Sequence, residues 1–185
     1  IAERLAIAEG ADLEIVRSAA LLHDSRGSAP GGSGSDRLEH HITSAQFAGE
    51  VLQQEGWTEA RIQAVQHCIR AHRFRHNGEK PQTLEAQVLY DADKLDVLGA
   101  IGAARTIAYG ALEGQPLFTE PSSTFLEHER VKPGEVYSSY HEFLFKLVKI
   151  KDLIFTESGK RLAESRHAFL VQFYEELRAE CNGER

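Results

Sequence analysis

A chain of 185 residues, 42% of them hydrophobic and 26% charged, can bury a core and is expected to form one domain. The net charge of −7 excludes the basic excess of a dedicated nucleic-acid surface, though not a small anion met through a bound cation. Two cysteines, Cys68 and Cys181, give neither a disulfide framework nor a paired metal spacing. No run is long enough to span a membrane and no signal peptide is visible, so a cytoplasmic domain without membrane contact is expected.

The sequence holds no methionine, and Ile1 falls in what reads as mid-helix, so native residues are expected upstream. Ile1, Leu5 and Ala8 follow the helical period, and Gly10 supplies a C-cap. Asp12 is the N-cap of the second helix, whose apolar stripe is Ile15, Val16, Ala19 and Leu22. His23 continues that stripe, and Asp24 follows at the helix end. Residues 28–35 (SAPGGSGS) read as a surface loop.

A third helix is expected from about residue 37 to 55, with His41, Ala45, Ala48 and Leu52 on one face. Trp57 and Thr58 read as hydrophobic staple and N-cap of the fourth helix, with Ile62 the staple partner. Its stripe is Ile62, Val65, Ile69 and His72, with His67 one face round; Cys68 reads as a reduced, part-buried thiol. His72, Arg73, Phe74, Arg75 and His76 form a basic tail that complements the helix dipole.

Pro81 and Thr83 open a fifth helix expected to run unbroken to about Tyr109. Leu84, Val88, Leu95 and Leu98 form one ridge; Ala86, Leu89, Asp93, Val97 and Ala100 form another. Residues 111–137 are punctuated by glycine and proline and read as a surface excursion with one short helical turn. Two amphipathic helices close the chain. The first buries Tyr140, Phe143, Leu144, Leu147 and Ile154. The second, capped by Thr156, buries Leu162, Phe169, Phe173 and Leu177. Strand-period alternation is absent, so the fold class is all-α.

Histidines and carboxylates on apolar helical faces ask for a partner. His23 and Asp24 on one helix and Asp91, Asp93 and Asp96 on another would all be satisfied by one divalent cation. Hard nitrogen and oxygen donors of this kind suit Mn, Mg, Fe or Zn.

AALLHD (19–24), then HxxSA (His41 to Ala45), QHCIRAHRF (66–74) and LYDADKLDVLGAIGAAR (89–105) occur in an order that resembles the HD-domain metal-dependent phosphohydrolases. The sequence is similar, more closely, to a bacterial stand-alone HD subfamily. The likeness extends over nearly the whole chain, including TESGKRLAESRHAFL (156–170). It implies a single HD-domain helical bundle over residues 1–185, with 138–181 packing on the core. It also implies a divalent metal ion held by a first-helix His, the His-Asp pair and a distal Asp. His23 and Asp24 match the pair. Asp93 best matches the distal Asp, with Asp91 the alternative; Asp96 suits a salt bridge or a supporting role. The first-helix His has no counterpart, because family spacing places it before Ile1, and weakened metal binding is expected.

The resemblance also implies that His41, His67 and His72 match positions that line the pocket or take a second metal in related proteins. His40, His76, His128, His141 and His167 read as structural. Water held by the cation would become the nucleophile, positioned by Asp24 or Asp93, and attack phosphorus in line. Lys94, His72, Arg73 and Arg26 are the cations expected near phosphate oxygens; Lys94 equally suits a pair with Asp91 or Asp24. The resemblance thus implies an enzyme acting on a nucleotide or related small phosphate ester. The alternative is a non-catalytic nucleotide sensor making partner contacts through 111–137. A homodimer is compatible with the small-residue central helix.

Overall fold

The computed structural model describes residues 1–26, 34–73 and 78–185, with 34–39 as backbone alone. Most of the glycine- and serine-rich loop, and Phe74, Arg75 and His76 of the basic tail, lie outside the described residues. The fold is all-α, and no strand occurs among the described residues. Nine α-helices and one 3-10 segment are described: α1 (Ala2–Glu9), α2 (Leu13–Leu22), α3 (Gly34–Gln54), α4 (Glu59–Ala71), α5 (Leu84–Leu95), α6 (Gly99–Leu112), α7 (Ser123–His128), α8 (Ser139–Phe145), the 3-10 turns Leu147–Leu153, and α9 (Glu157–Cys181). No single helix among them is long and apolar enough to cross a membrane.

The chain forms two compact units. The first comprises Ile1–Asp93 and Phe155–Gly159; the second comprises Lys94–Ile154 and Lys160–Arg185.

In the first unit, α2, α3, α4 and α5 enclose a core of Ile15, Ala19, Ala45, Ala48, Leu52, Ile62, Val65, Ile69 and Leu89, against which Trp57 packs. Asp12 caps α2 as expected, accepting from Glu14 N–H and Ile15 N–H at 3.0 and 3.2 Å. Loss of such a cap costs about 1 kcal/mol. Asp12 also donates its own N–H to Glu85 Oε1 at 3.0 Å, so α2 and α5 begin side by side. α3 and α4 approach closely because Gly49 leaves room for Gln66, which bonds Ala45 O at 3.0 Å; a Cβ on Gly49 would lie 2.3 Å from that amide. Cys68 is buried, and burial pushes its thiol up to about 12.

Several expectations are corrected. α1 buries Leu5 and Ala6, whereas Ile1 and Ala8 are exposed. Thr58 stands at the N-cap of α4 but its hydroxyl makes no capping bond. α3 starts at Gly34, inside the stretch expected to be loop.

In the second unit, the single helix expected from Thr83 to Tyr109 is broken after Leu95 and restarts at Gly99 with φ +73°. Glycine tolerates that left-handed backbone at no steric cost. At the break Leu95 O accepts Leu98 N–H at 3.3 Å and also the Arg166 guanidinium at 2.6 Å, which ties α9 to the end of α5. The penultimate helix is likewise split into α8 and the 3-10 turns. α9 buries Ala163, Leu170 and Tyr174 rather than the expected stripe, and Phe169 is 47% exposed. Residues 111–137 do include one short helix, α7, capped by Ser122 through Phe125 N–H at 3.2 Å.

Candidate metal centre

The end of α2 leaves backbone carbonyls that need donors. His23 supplies two: its N–H bonds Ala19 O at 2.9 Å and its ring Nδ1 lies 2.8 Å from Ala20 O. Ser25 Oγ donates to Leu22 O at 2.8 Å. A carbonyl can only accept, so the His23 ring proton sits on Nδ1 and Nε2 keeps its lone pair. That nitrogen lies 3.6 Å from Asp24 Oδ2. The turn that follows is pinned by Arg26 N–H donating to Ser44 Oγ at 3.1 Å.

α4 ends in the same way. His72 N–H bonds Cys68 O at 3.0 Å, and His72 Nδ1 bonds Ile69 O at 2.5 Å. Its Nε2 is turned to within 3.9 Å of Asp24 Oδ1. Burial pulls the His72 pKa down to about 4, the carbonyl of Ile69 and the charges of Asp93 and Asp24 opposing that fall. The ring is therefore neutral at pH 7 and offers a lone pair, the form that binds a cation.

His40, on α3, closes the group: its Nε2 is 3.4 Å from Asp24 Oδ1, and its Nδ1 is 3.2 Å from Arg73 Nη1. The His23 and His72 rings meet edge-on at 5.0 Å, and those of His40 and His72 at 5.6 Å. Asp24, His40 and His72 each bring one donor atom within 4.8 Å of the others, a grouping that suits a divalent cation. They come from three different helical segments.

The other sequence candidates are placed as follows. Asp93 is half-buried on α5, where its charge acts on His72. Asp91 is fully buried and turned elsewhere. It accepts from Phe155 N–H at 2.9 Å, Thr156 N–H at 2.7 Å and Thr156 Oγ1 at 2.6 Å. Thr156 in turn caps α9 through Gly159 N–H. Lys94 occupies the last turn of α5, where a cation complements the dipole. Asp96 pairs with Arg105 at 3.0 Å.

His41 is half-buried with its ring 5.8 Å from that of His40. His67 lies away from the cluster: Nδ1 meets Glu79 Oε1 at 2.5 Å and Nε2 accepts from Gln82 N–H at 3.2 Å. Arg26 lays its guanidinium over Phe47 at 4.2 Å. Arg73 reaches the cluster through His40. His141 is fully buried between Ser138 Oγ at 2.8 Å and Glu135 Oε1 at 3.3 Å.

Sequence reasoning missed two residues. His40 was expected to be structural, yet it stands in the donor group. Ser44, buried one turn later, was noted only as part of a motif. The i, i+4 spacing of His40 and Ser44 puts both on one face of α3. That face adjoins the core stripe, and a polar pair there was the available signal.

A model of the HD domain matches residues 1–98. Over 181 residues the chain is 30% identical to YpgQ of Bacillus subtilis (strain 168), covering 95% of this chain and 76% of that protein. The crystal structure of Bacillus subtilis YpgQ in complex with ADP is similar with TM-score 0.71 and 29% identity, over 97% of this chain and 82% of that one. A Lactobacillus plantarum protein gives TM-score 0.73 at 28% identity, over 98% and 82%. An HD-superfamily hydrolase from Bacillus thuringiensis gives 0.70 at 30%, over 98% and 81%. With the HD-domain model matching over half of the chain, 30% identity to YpgQ over 95% of it and a donor cluster that includes the aspartate of the His-Asp pair, this chain belongs to the HD-domain superfamily of metal-dependent phosphohydrolases.

Proposed function

We propose that the protein hydrolyses a nucleotide or a closely related small phosphate ester, using a divalent cation held beside Asp24. The observation that carries this reading is the convergence of Asp24, His40 and His72 from three helices onto one spot. The ADP in the crystal structure of the similar YpgQ supports a nucleotide as ligand class.

The residues fit a cation. His23 and His72 each hold Nδ1 on a backbone carbonyl, which leaves an Nε2 lone pair beside the Asp24 carboxylate. The imidazole nitrogens of His40 and His72 with a carboxylate oxygen of Asp24 favour Mn, Fe or Zn over Mg, which prefers an all-oxygen shell, and Asp93 is the further carboxylate proposed for that shell. Bound there, the ion supplies Lewis acidity and neutralises charge at phosphorus.

The chain's own groups do the rest. Asp24 sits between three imidazoles and orients what binds among them. His72 stays neutral at pH 7, so it adds no repulsion to a cation. Arg73 lends positive charge through its bond to His40. Phosphoryl transfer depends chiefly on such positioning and charge neutralisation.

The test is a panel of nucleoside mono-, di- and triphosphates offered to chelator-treated protein, with and without added Mn2+, and products separated by ion exchange. Metal-dependent release of phosphate or pyrophosphate is the expected outcome. Asp24→Ala is expected to lower kcat/KM by roughly a hundredfold or more, with Asp93→Ala close behind. Saturable ADP binding with no product under any metal would overturn the reading.

A further inference from the structure

The three donors of the cluster are not held equally by their own elements. His40 lies inside α3 and His72 is the C-cap of α4, but Asp24 sits in the turn two residues past the end of α2. Its side chain is 43% exposed, so burial does not fix it. A carboxylate on a turn keeps its distance from imidazoles on other helices only if the turn itself is anchored.

Two contacts dock that turn, and both land on α3. Arg26 N–H donates to Ser44 Oγ at 3.1 Å, and the Arg26 guanidinium lies over the Phe47 ring at 4.2 Å. Ser44 is fully buried, beside Ala45 and Ala48 of the core. A hydroxyl buried there costs stability unless it is bonded, and the alanines on either side show what packing alone accepts. The Arg26 N–H is the partner that makes a serine worth having at that place.

His40, Ser44 and Phe47 follow one another at i, i+4 and i+7, which puts them on one face of α3 within about 60°. One rigid stretch of helix thus carries an imidazole of the cluster and both anchors of the turn that bears the carboxylate. His40 Nε2 stands 3.4 Å from Asp24 Oδ1, and the rise of about 6 Å from His40 to Ser44 helps set that separation.

We infer that Ser44 and Arg26, with Phe47 as the shelf for the guanidinium, are positioning residues that hold the Asp24 carboxylate at bonding distance from a cation shared with His40 and His72. The inference rests on the cation reading of the cluster. It assigns Arg26 an action through the Asp24 turn, by its backbone N–H and by the face of its guanidinium.

Mn2+ titration of chelator-treated protein, corrected for the folded fraction, and the visible spectrum of the Co2+ form test this. Ser44→Ala is expected to weaken Mn2+ binding tenfold to a hundredfold, the scale on which residues that orient ligands act, and to shift the Co2+ bands. Phe47→Leu keeps an apolar side chain but removes the ring face. It is expected to weaken Mn2+ binding about two- to fivefold, the scale of an exposed cation–π contact, and Arg26→Met to match it. Thr43→Ala removes a hydroxyl from the exposed side of the same helix and should bind Mn2+ like wild type.

Ser44→Ala with wild-type Mn2+ affinity and an unshifted Co2+ spectrum, whatever its melting temperature, would overturn the inference and leave the hydrolase reading intact. Should Ser44→Ala not fold, unchanged affinity in both Phe47→Leu and Arg26→Met would overturn it. An equal loss in Thr43→Ala would trace the effect to general loosening of α3 and overturn it too. Wild type that binds Mn2+ but hydrolyses no nucleotide would remove the hydrolase reading and leave this inference standing; wild type that binds no Mn2+ would overturn both.

Discussion

Two aspartates, two residues apart on α5, have opposite environments. Successive side chains turn about 100° around a helix, so Asp91 and Asp93 point roughly 200° apart. Asp93 acts on His72. Asp91 instead receives two backbone N–H groups and a hydroxyl from residues 155 and 156. Burial raises its pKa, and these hydrogen bonds pull the other way. Replacing Asp91 by Ala strands three donors, the N–H and hydroxyl of Thr156 buried and the Phe155 N–H part-buried, and each lost buried partner costs about 1–3 kcal/mol. Asp91→Ala is thus expected to lower stability by about 3 kcal/mol or more in urea unfolding, with Mn2+ affinity per folded molecule unchanged. A variant as stable as wild type but unable to bind Mn2+ would reverse the roles of the two aspartates.

At the scale of elements, α2 and α4 end on the same device: a histidine that closes its own helix and points Nε2 outward. The helix terminus thereby becomes a rigid mount. The excursion between α6 and α8 is organised differently, around Glu135. Its carboxylate accepts from Lys132 N–H at 2.8 Å and Ser122 N–H at 2.7 Å, and also bonds Ser122 Oγ and His141 Nε2. The N–H groups of Lys132 and Ser122, ahead of the two side-chain bonds, hold its carboxyl down at about 2.

An ordinary glutamate titrates near 4.5, so the folded state favours the ionised form. That contribution is fully present above pH 4.5 and is lost as pH falls through 4.5 towards 2. Glu135→Gln is expected to be less stable at neutral pH and to show a flatter stability profile between pH 4.5 and 2. Circular dichroism melts across that window check it; an unchanged slope would remove Glu135 from this role.

For the molecule as a whole, a cation that binds only the folded cluster stabilises it by mass action, about 2.7 kcal/mol at a concentration 100 times Kd. For a chain of this size that corresponds to a rise of about 5–10 °C in Tm. Mn2+ is expected to raise Tm in the wild type and leave Asp24→Ala unshifted; equal shifts in both would place the ion elsewhere.

Much was legible beforehand because local rules suffice for it. The 3.6-residue period of Ile15, Val16 and Ala19 with Asp12 as cap fixed α2, and the four ordered motifs pointed to the superfamily. The break after Leu95 was not legible, because LGAIGAA is compatible with continuous helix and only the packing around Gly99 and Arg166 selects the kink. The buried face of α9 was ambiguous for a related reason: Phe169 and Tyr174 both offer an aromatic ridge, and the neighbours Tyr140 and Phe143 take Tyr174.

Sequence by itself determined the helical class, the caps at Gly10, Asp12 and Thr156 and the His-Asp pair, since periodicity and capping act within one or two turns. Tertiary structure alone decided which histidines gather at Asp24 and that the Asp91 carboxylate is taken by residues 155 and 156. The physical reason is that a donor set is a property of distances between helices remote in sequence, which periodicity and capping do not encode.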